Sequence, residues 1–231
     1  MSINQNARLA GLLYLIVVLT GIVSLAYVPS QLIVWDNPAL TVENIKTAEF
    51  LFRVGIFSGV LCYIAFLALP FALFKLFEKT NREVALFMVI FAVISVPISI
   101  FNLIGKLDVL TVINNTALLE LYSPQQISAQ VMTMLRSYNN GITIVQVFWG
   151  LWLFPFGYLV FKSGLIPRVF GILLMFGCIS YLIRFTGAIL LPELDIPSFV
   201  RLPASIAEIG TCLWLLIMGA KDPSIDKLKS V

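Results

Sequence analysis

The stretch 168–191 reads RVFGILLMFGCISYLIRFTGAILL and decides the fold class, because a single charge, Arg184, lies inside a long apolar run. About 20 apolar residues cross the hydrocarbon core of a bilayer as a helix. Backbone polar groups in lipid must be hydrogen-bonded within the segment, so a run of this kind predicts a helix. We therefore predict a transmembrane helix here and ask what a charge inside it does.

The rest of the chain has the same character. Of its 231 residues, 60% are hydrophobic and 12% are charged. Soluble domains carry about 25% charged residues, so lipid must replace water around most of this chain. The apolar runs predict six transmembrane helices, near 9–28, 51–74, 84–105, 141–161, 168–191 and 200–220. We predict an all-α integral membrane bundle in which residues 1–231 form a single transmembrane helical domain.

The distribution of Lys and Arg predicts the orientation. With six spans, the basic residues of the two ends and of the short loops fall on one side: Arg8, Lys75, Lys79, Arg82, Lys162, Arg168, Lys221, Lys227 and Lys229. Cytoplasmic loops of membrane proteins carry an excess of Lys and Arg. Both termini are therefore predicted to be cytoplasmic.

The segment between the third and fourth spans has helical features of its own. Ser123, followed by Pro124 and then by Gln126 three residues after the serine, is a capping-box helix start. Apolar residues then recur at helical spacing: Ile127, Val131, Met134, Leu135 and Tyr138. We predict an amphipathic helix at the outer membrane interface that leads into the fourth span at Gly141.

Composition excludes several classes of function. The chain has no His, which excludes His-based acid–base catalysis, His metal sites and Ser-His-Asp triads. A net charge of +3 is too small to indicate nucleic-acid binding. Cys62, Cys178 and Cys212 lie inside apolar runs and are interpreted as packing residues. Nothing in the sequence calls for a metal or a cofactor, and no nucleophile motif identifies a catalytic residue.

Polar residues in the spans indicate where a site lies. Arg184 and Glu208 each lie roughly 10 Å below the outer end of their span, and this matched depth predicts that they meet as an ion pair. Further polar residues fall at the same level: Glu49, Arg53, Asn102, Lys106, Arg136 and Gln146, with Arg201 two helical turns before Glu208. The pattern predicts an outward-facing polar pocket for a small anionic or amphiphilic, lipid-like ligand, with Arg184 and Arg53 as anchors.

Two alternatives remain open. The polar residues could form an interhelical network whose role is purely structural. An intramembrane lipid-modifying enzyme could use Glu208 or Glu49 as a general base.

Small-residue patterns such as Gly55-x-x-x-Gly59 indicate helix packing and are weak evidence for a homo-oligomer. The expected partners are membrane lipid and the small ligand.

Several motifs resemble a known family. They are Ala7–Leu15 (ARLAGLLYL), Ala48–Gly55 (AEFLFRVG), Trp149–Trp152 (WGLW) with Phe156–Leu159 (FGYL), Ser163 to Pro167-Arg168 with Gly171, and Pro203-Ala204 with Glu208 and Leu213–Leu215 (LWL). Together they resemble the prokaryotic domain-of-unknown-function family 4386 over nearly the whole chain. The resemblance implies a multi-pass protein of the bacterial cytoplasmic membrane and brings no established activity.

Overall fold

The computed structural model describes residues 2–221, and this part of the chain contains helices and turns without a strand. Six helical segments in it are long and apolar enough to cross a membrane: Ile3–Leu32, Glu49–Phe77, Arg82–Asn114, Pro124–Ser163, Arg168–Leu190 and Ser198–Ile217. Each overlaps one predicted span, so the all-α multi-pass architecture is confirmed. Lys227 and Lys229, which enter the orientation prediction, lie outside the described residues.

Turns divide these segments into shorter elements. In chain order the helices are α1 (Ile3–Ile22), α2 (Val28–Leu32), α3 (Pro38–Thr47), α4 (Glu49–Phe77), α5 (Arg82–Asn102), α6 (Ile104–Asn114), α7 (Thr116–Leu121), α8 (Pro124–Leu151), α9 (Leu153–Ser163), α10 (Arg168–Leu190) and α11 (Leu202–Ile217). A π-helical turn, Val23–Tyr27, connects α1 to α2. A 3-10 turn, Ser198–Arg201, precedes α11.

The described chain forms two compact units. Unit 1 contains the residues up to Ile16, Ala65–Val96 and the chain from Thr143 onward, and unit 2 contains Val17–Ile64 and Pro97–Ile142. The prediction of a single domain stays a prediction.

Aromatic side chains fill the interior of unit 1. Trp152 and Phe156 are fully buried and stack with ring centroids 5.2 Å apart, and Phe66 meets Trp152 edge-on at 5.2 Å. Helices α9 and α10 approach closely, because a Cβ on Gly157 would lie 2.5 Å from the Gly171 carbonyl oxygen. The hydrophobic effect does not drive helices together within lipid, so van der Waals contacts at this close approach stabilise the pair of helices.

Unit 2 has an aliphatic core to which α2, α3, α4, α6 and α8 contribute. Its buried members are Val28, Leu32, Val42, Ile45, Phe52, Ile56, Val109, Leu110, Val112, Ile113, Ile127, Val131, Met132 and Leu135. The Gly55-x-x-x-Gly59 pattern acts in packing here, since a Cβ on Gly55 would lie 2.9 Å from Val28 Cγ1 and one on Gly59 would lie 2.8 Å from Ser24 Oγ.

The structure contains the predicted helix before the fourth span. Its start is confirmed, because the Gln126 N–H donates to Ser123 Oγ at 3.3 Å and the Ser123 N–H donates to Gln126 Oε1 at 2.8 Å. Helix α8 continues through Gly141 into the fourth span without a break, and its placement at the membrane interface stays a prediction. The missing Cβ at Gly141 leaves room for the Asn102 side chain, which packs there and donates to the Tyr138 carbonyl at 2.8 Å.

Candidate functional site

Arg184 lines a pocket of about 460 Å³ at the C-terminal end of α10, within unit 1. Three walls form it: the end of α10, the connecting segment 191–197 and the 3-10 turn. The lining residues are Arg184, Gly187, Ala188, Leu191, Pro192, Leu194, Ile196, Pro197, Ser198 and Arg201. Spacings of three, four and seven residues place Arg184, Gly187, Ala188 and Leu191 on one face of the helix.

The local sequence explains why the chain folds back over α10. The helix closes with the Leu191 N–H donating to the Gly187 carbonyl at 2.9 Å. Ile196 then packs directly on Gly187, at a place where any Cβ would collide with its side chain. Pro197 precedes the 3-10 turn, in which the Val200 N–H donates to the Pro197 carbonyl at 3.1 Å. This return brings Arg201 to the pocket that Arg184 lines.

The charged residues that line the pocket are both arginines. They are Arg184 and Arg201, whereas Glu193 and Asp195 of the connecting segment are exposed and do not line it. Among residues 2–221, neither guanidinium forms a hydrogen bond or an ion pair, although the two are close enough to repel each other electrostatically. Arg184 is half-buried and Arg201 is exposed. Because a guanidinium offers a planar fork of N–H donors, the pair can hold an anion by charge and by hydrogen bonds.

The structure corrects the predicted ion pair between Arg184 and Glu208. The Glu208 carboxylate instead accepts a hydrogen bond from the Tyr14 hydroxyl at 3.4 Å, and Tyr181 lies nearby. Tyr14 comes from α1, and Tyr181 lies on α10 one turn before Arg184. Glu208 therefore has a neutral hydroxyl donor instead of the predicted arginine, and it does not line the pocket.

In unit 2, Glu49 and Arg53 form the pair that their spacing predicts. Arg53 Nη2 lies 2.6 Å from Glu49 Oε1, and Asn114 Nδ2 donates to the other carboxylate oxygen at 3.1 Å. The Arg53 side chain is 55% exposed. Arg53 thus has a carboxylate partner at the start of α4, in contrast to Arg184 and Arg201.

The remaining predicted site residues have different environments. Lys106, in unit 2, is 2% exposed; its ammonium donates to the Ser24 carbonyl at 3.2 Å and lies 4.2 Å from the centre of the Tyr138 ring. Asn102 is partly buried on the Tyr138 carbonyl, and Arg136 is exposed. Gln146 belongs to unit 1 and is 6% exposed. Asn102 and Lys106 each donate a hydrogen bond to a backbone carbonyl, which agrees with the structural alternative for these polar residues.

Arg201 and Ser198 line the pocket but are not among the predicted site residues. A signal for Arg201 exists in its position two helical turns before Glu208. Tyr181, three residues before Arg184, could have been noticed in the same way. Tyr14 could not, because it is 194 residues from Glu208 along the chain and no local pattern connects them.

A family model described as "Domain of unknown function (DUF4386)" matches residues 9–219. No functionally curated protein and no solved structure matches the chain. The matched region includes all six membrane-crossing segments in part or in full, together with the pocket residues and Glu208. This protein therefore belongs to the DUF4386 family, whose function the family model leaves undefined.

Proposed function

We propose that this protein binds a small anionic or amphiphilic ligand between Arg184 and Arg201, in the bacterial cytoplasmic membrane that the family resemblance implies. One observation carries the proposal: two arginines without a carboxylate partner line one pocket of about 460 Å³. This volume lies within the range of about 300–1,000 Å³ that is typical of small-molecule sites. Charges inside membrane segments are rare and are usually functional.

The contrast with Arg53 supports the choice of anchors. Arg53 is neutralised by Glu49, so an added anion would have to displace a carboxylate 2.6 Å away. Arg184 and Arg201 repel each other, and an anion placed between them relieves that repulsion. The binding site therefore differs from the sequence-based hypothesis in one anchor, with Arg201 in place of Arg53.

The test is ligand-dependent stabilisation of the purified full chain in detergent. Inorganic phosphate and octanoate are titrated against a chloride background, and thermal unfolding is followed. A ligand present at 100 times its Kd stabilises the folded state by about 2.7 kcal/mol. We expect at least one of the two anions to raise the unfolding temperature, and we expect Arg184→Gln with Arg201→Gln to abolish the shift.

The matched control is Arg82→Gln, which removes an exposed arginine at the start of α5 in unit 1, outside the pocket. This variant should respond to the anions as the wild type does. An anion-dependent shift of equal size in the double variant, or no shift in the wild type with either anion, would contradict the proposal.

A further inference from the structure

We infer that the group held by Arg184 and Arg201 is a phosphate monoester carried by a membrane lipid, as in phosphatidic acid, with its acyl chains against the apolar surface beside the pocket. The inference rests on the anion-binding function proposed above and specifies the chemical class of the ligand. It depends on three further features of the pocket: the number of its donors, the apolar residues at its rim and its size.

The donor set fits a phosphate better than a carboxylate. A carboxylate has two oxygens, and one guanidinium fork can engage both of them. A second arginine in the same pocket must then share those two oxygens and use their remaining lone pairs. A phosphate monoester presents three free oxygens and carries more charge, so it can engage Arg184 and Arg201 from two sides. The hydroxyl of Ser198, which also lines the pocket, can serve as a further donor.

The rim of the pocket is apolar and exposed. Leu191 and Leu194 line the pocket and are 54% and 58% exposed. Their neighbours Leu190, Phe199 and Leu202 are 70%, 65% and 54% exposed. These residues lie at or beside the ends of two membrane-crossing segments, and an exposed apolar patch of this kind can be covered by lipid acyl chains. A ligand with a phosphate and acyl chains can satisfy the cationic pocket and the apolar rim together, whereas a soluble anion satisfies only the pocket.

The size of the pocket agrees with a headgroup. A volume of about 460 Å³ is much larger than a single phosphate ion needs. It accommodates a phosphate and the glycerol that bears it, while the two acyl chains stay outside along α10 and α11. Arg184 and Arg201 then hold the headgroup at the level of the pocket, and the apolar residues orient the chains.

The experiment compares lipids and phosphate on the full chain in detergent, with binding measured by native mass spectrometry. The probes are dioctanoyl phosphatidic acid, inorganic phosphate and dioctanoylglycerol, which lacks the phosphate. We expect phosphatidic acid to bind at least tenfold more tightly than either of the other two. Arg184→Lys and Arg201→Lys keep the charge but lose the planar fork, and each should weaken phosphatidic acid binding several-fold. Arg82→Gln should bind it as the wild type does.

The outcomes separate this inference from the proposed function. If inorganic phosphate binds as tightly as phosphatidic acid, the lipid assignment is wrong while anion binding stands. If dioctanoylglycerol binds as tightly as phosphatidic acid, the phosphate assignment is wrong. If Arg184→Gln with Arg201→Gln still binds phosphatidic acid at wild-type affinity, and its thermal unfolding shows it to be folded, both the inference and the proposed site are overturned.

Discussion

Glu208 shows how a partly buried carboxylate in a membrane segment can be accommodated without a cation. It accepts a hydrogen bond from Tyr14, which is 1% exposed, and lies near Tyr181, so a neutral hydroxyl donor replaces the expected arginine. The aromatic cluster around Trp152 holds Tyr14 in place, with ring centroids 6.1 Å apart in an edge-on arrangement. The arrangement of these tyrosines thus frees Arg184 for the pocket.

Replacing Glu208 by Leu should destabilise the protein by about 1–3 kcal/mol, because the buried Tyr14 hydroxyl would lose its acceptor. The measurement is the unfolding temperature in detergent. Glu208→Gln is the matched control, since its amide oxygen still accepts a hydrogen bond, and it should lie closer to the wild type. A Leu variant as stable as the Gln variant would show that the tyrosine contact contributes nothing.

At the scale of elements, the π-helical turn explains the buried lysine of unit 2. In this turn the Val28 N–H donates to the Val23 carbonyl, five residues back. The same register would pair the Ser24 carbonyl with the N–H of residue 29, which is Pro29 and has none. The Lys106 ammonium supplies the missing donor at 3.2 Å. Lys106 therefore completes the hydrogen bonding of the first membrane segment, a structural role within the predicted site.

A double-mutant cycle tests this link between Lys106 and Pro29. Pro29→Ala introduces an N–H that can reach the Ser24 carbonyl, so Lys106→Met should cost less stability in that background than in the wild type. Contacting residues typically couple by about 0.5–3 kcal/mol, and we expect a coupling in this range from unfolding in detergent. If the two changes are additive, the ammonium does not substitute for the missing N–H.

At the scale of the whole molecule, residues 2–221 contain six segments long and apolar enough to cross a membrane, and this even number agrees with the prediction that both termini are cytoplasmic. The positive-inside rule predicts that the loop 78–81 lies in the cytoplasm and that the segment 191–197, with the pocket lined by Arg184 and Arg201, lies outside. The three cysteines of the chain are free and buried, which makes cysteine labelling selective for introduced residues.

We expect Glu193→Cys to react with a membrane-impermeant maleimide on intact cells. Lys79→Cys should react only after the membrane is permeabilised. Both positions are exposed in the structure, so a difference in labelling reports the side of the membrane on which each lies. Wild-type protein, with its buried cysteines, is the control for background labelling. The reverse pattern would place the pocket on the cytoplasmic side and would contradict the predicted orientation.

Features that depend on composition and local spacing can be predicted without knowledge of the tertiary structure. Hydropathy specified six spans, the capping box specified where α8 begins, and a spacing of four predicted the Glu49–Arg53 pair. These features are predictable because helix formation in lipid and side-chain contacts one turn apart depend only on the local segment and not on neighbouring helices.

The contacts between polar groups that are distant in sequence depend on how the helices pack. Arg184 shares a pocket with Arg201 because the chain folds back on Gly187, and Glu208 finds Tyr14 on a helix at the other end of the sequence. Lys106 reaches Ser24, 82 residues away along the chain. Hydropathy does not predict these partners, because lipid and the interior of a helical bundle are equally apolar. Which helix faces pack together depends instead on small residues and on polar contacts between helices.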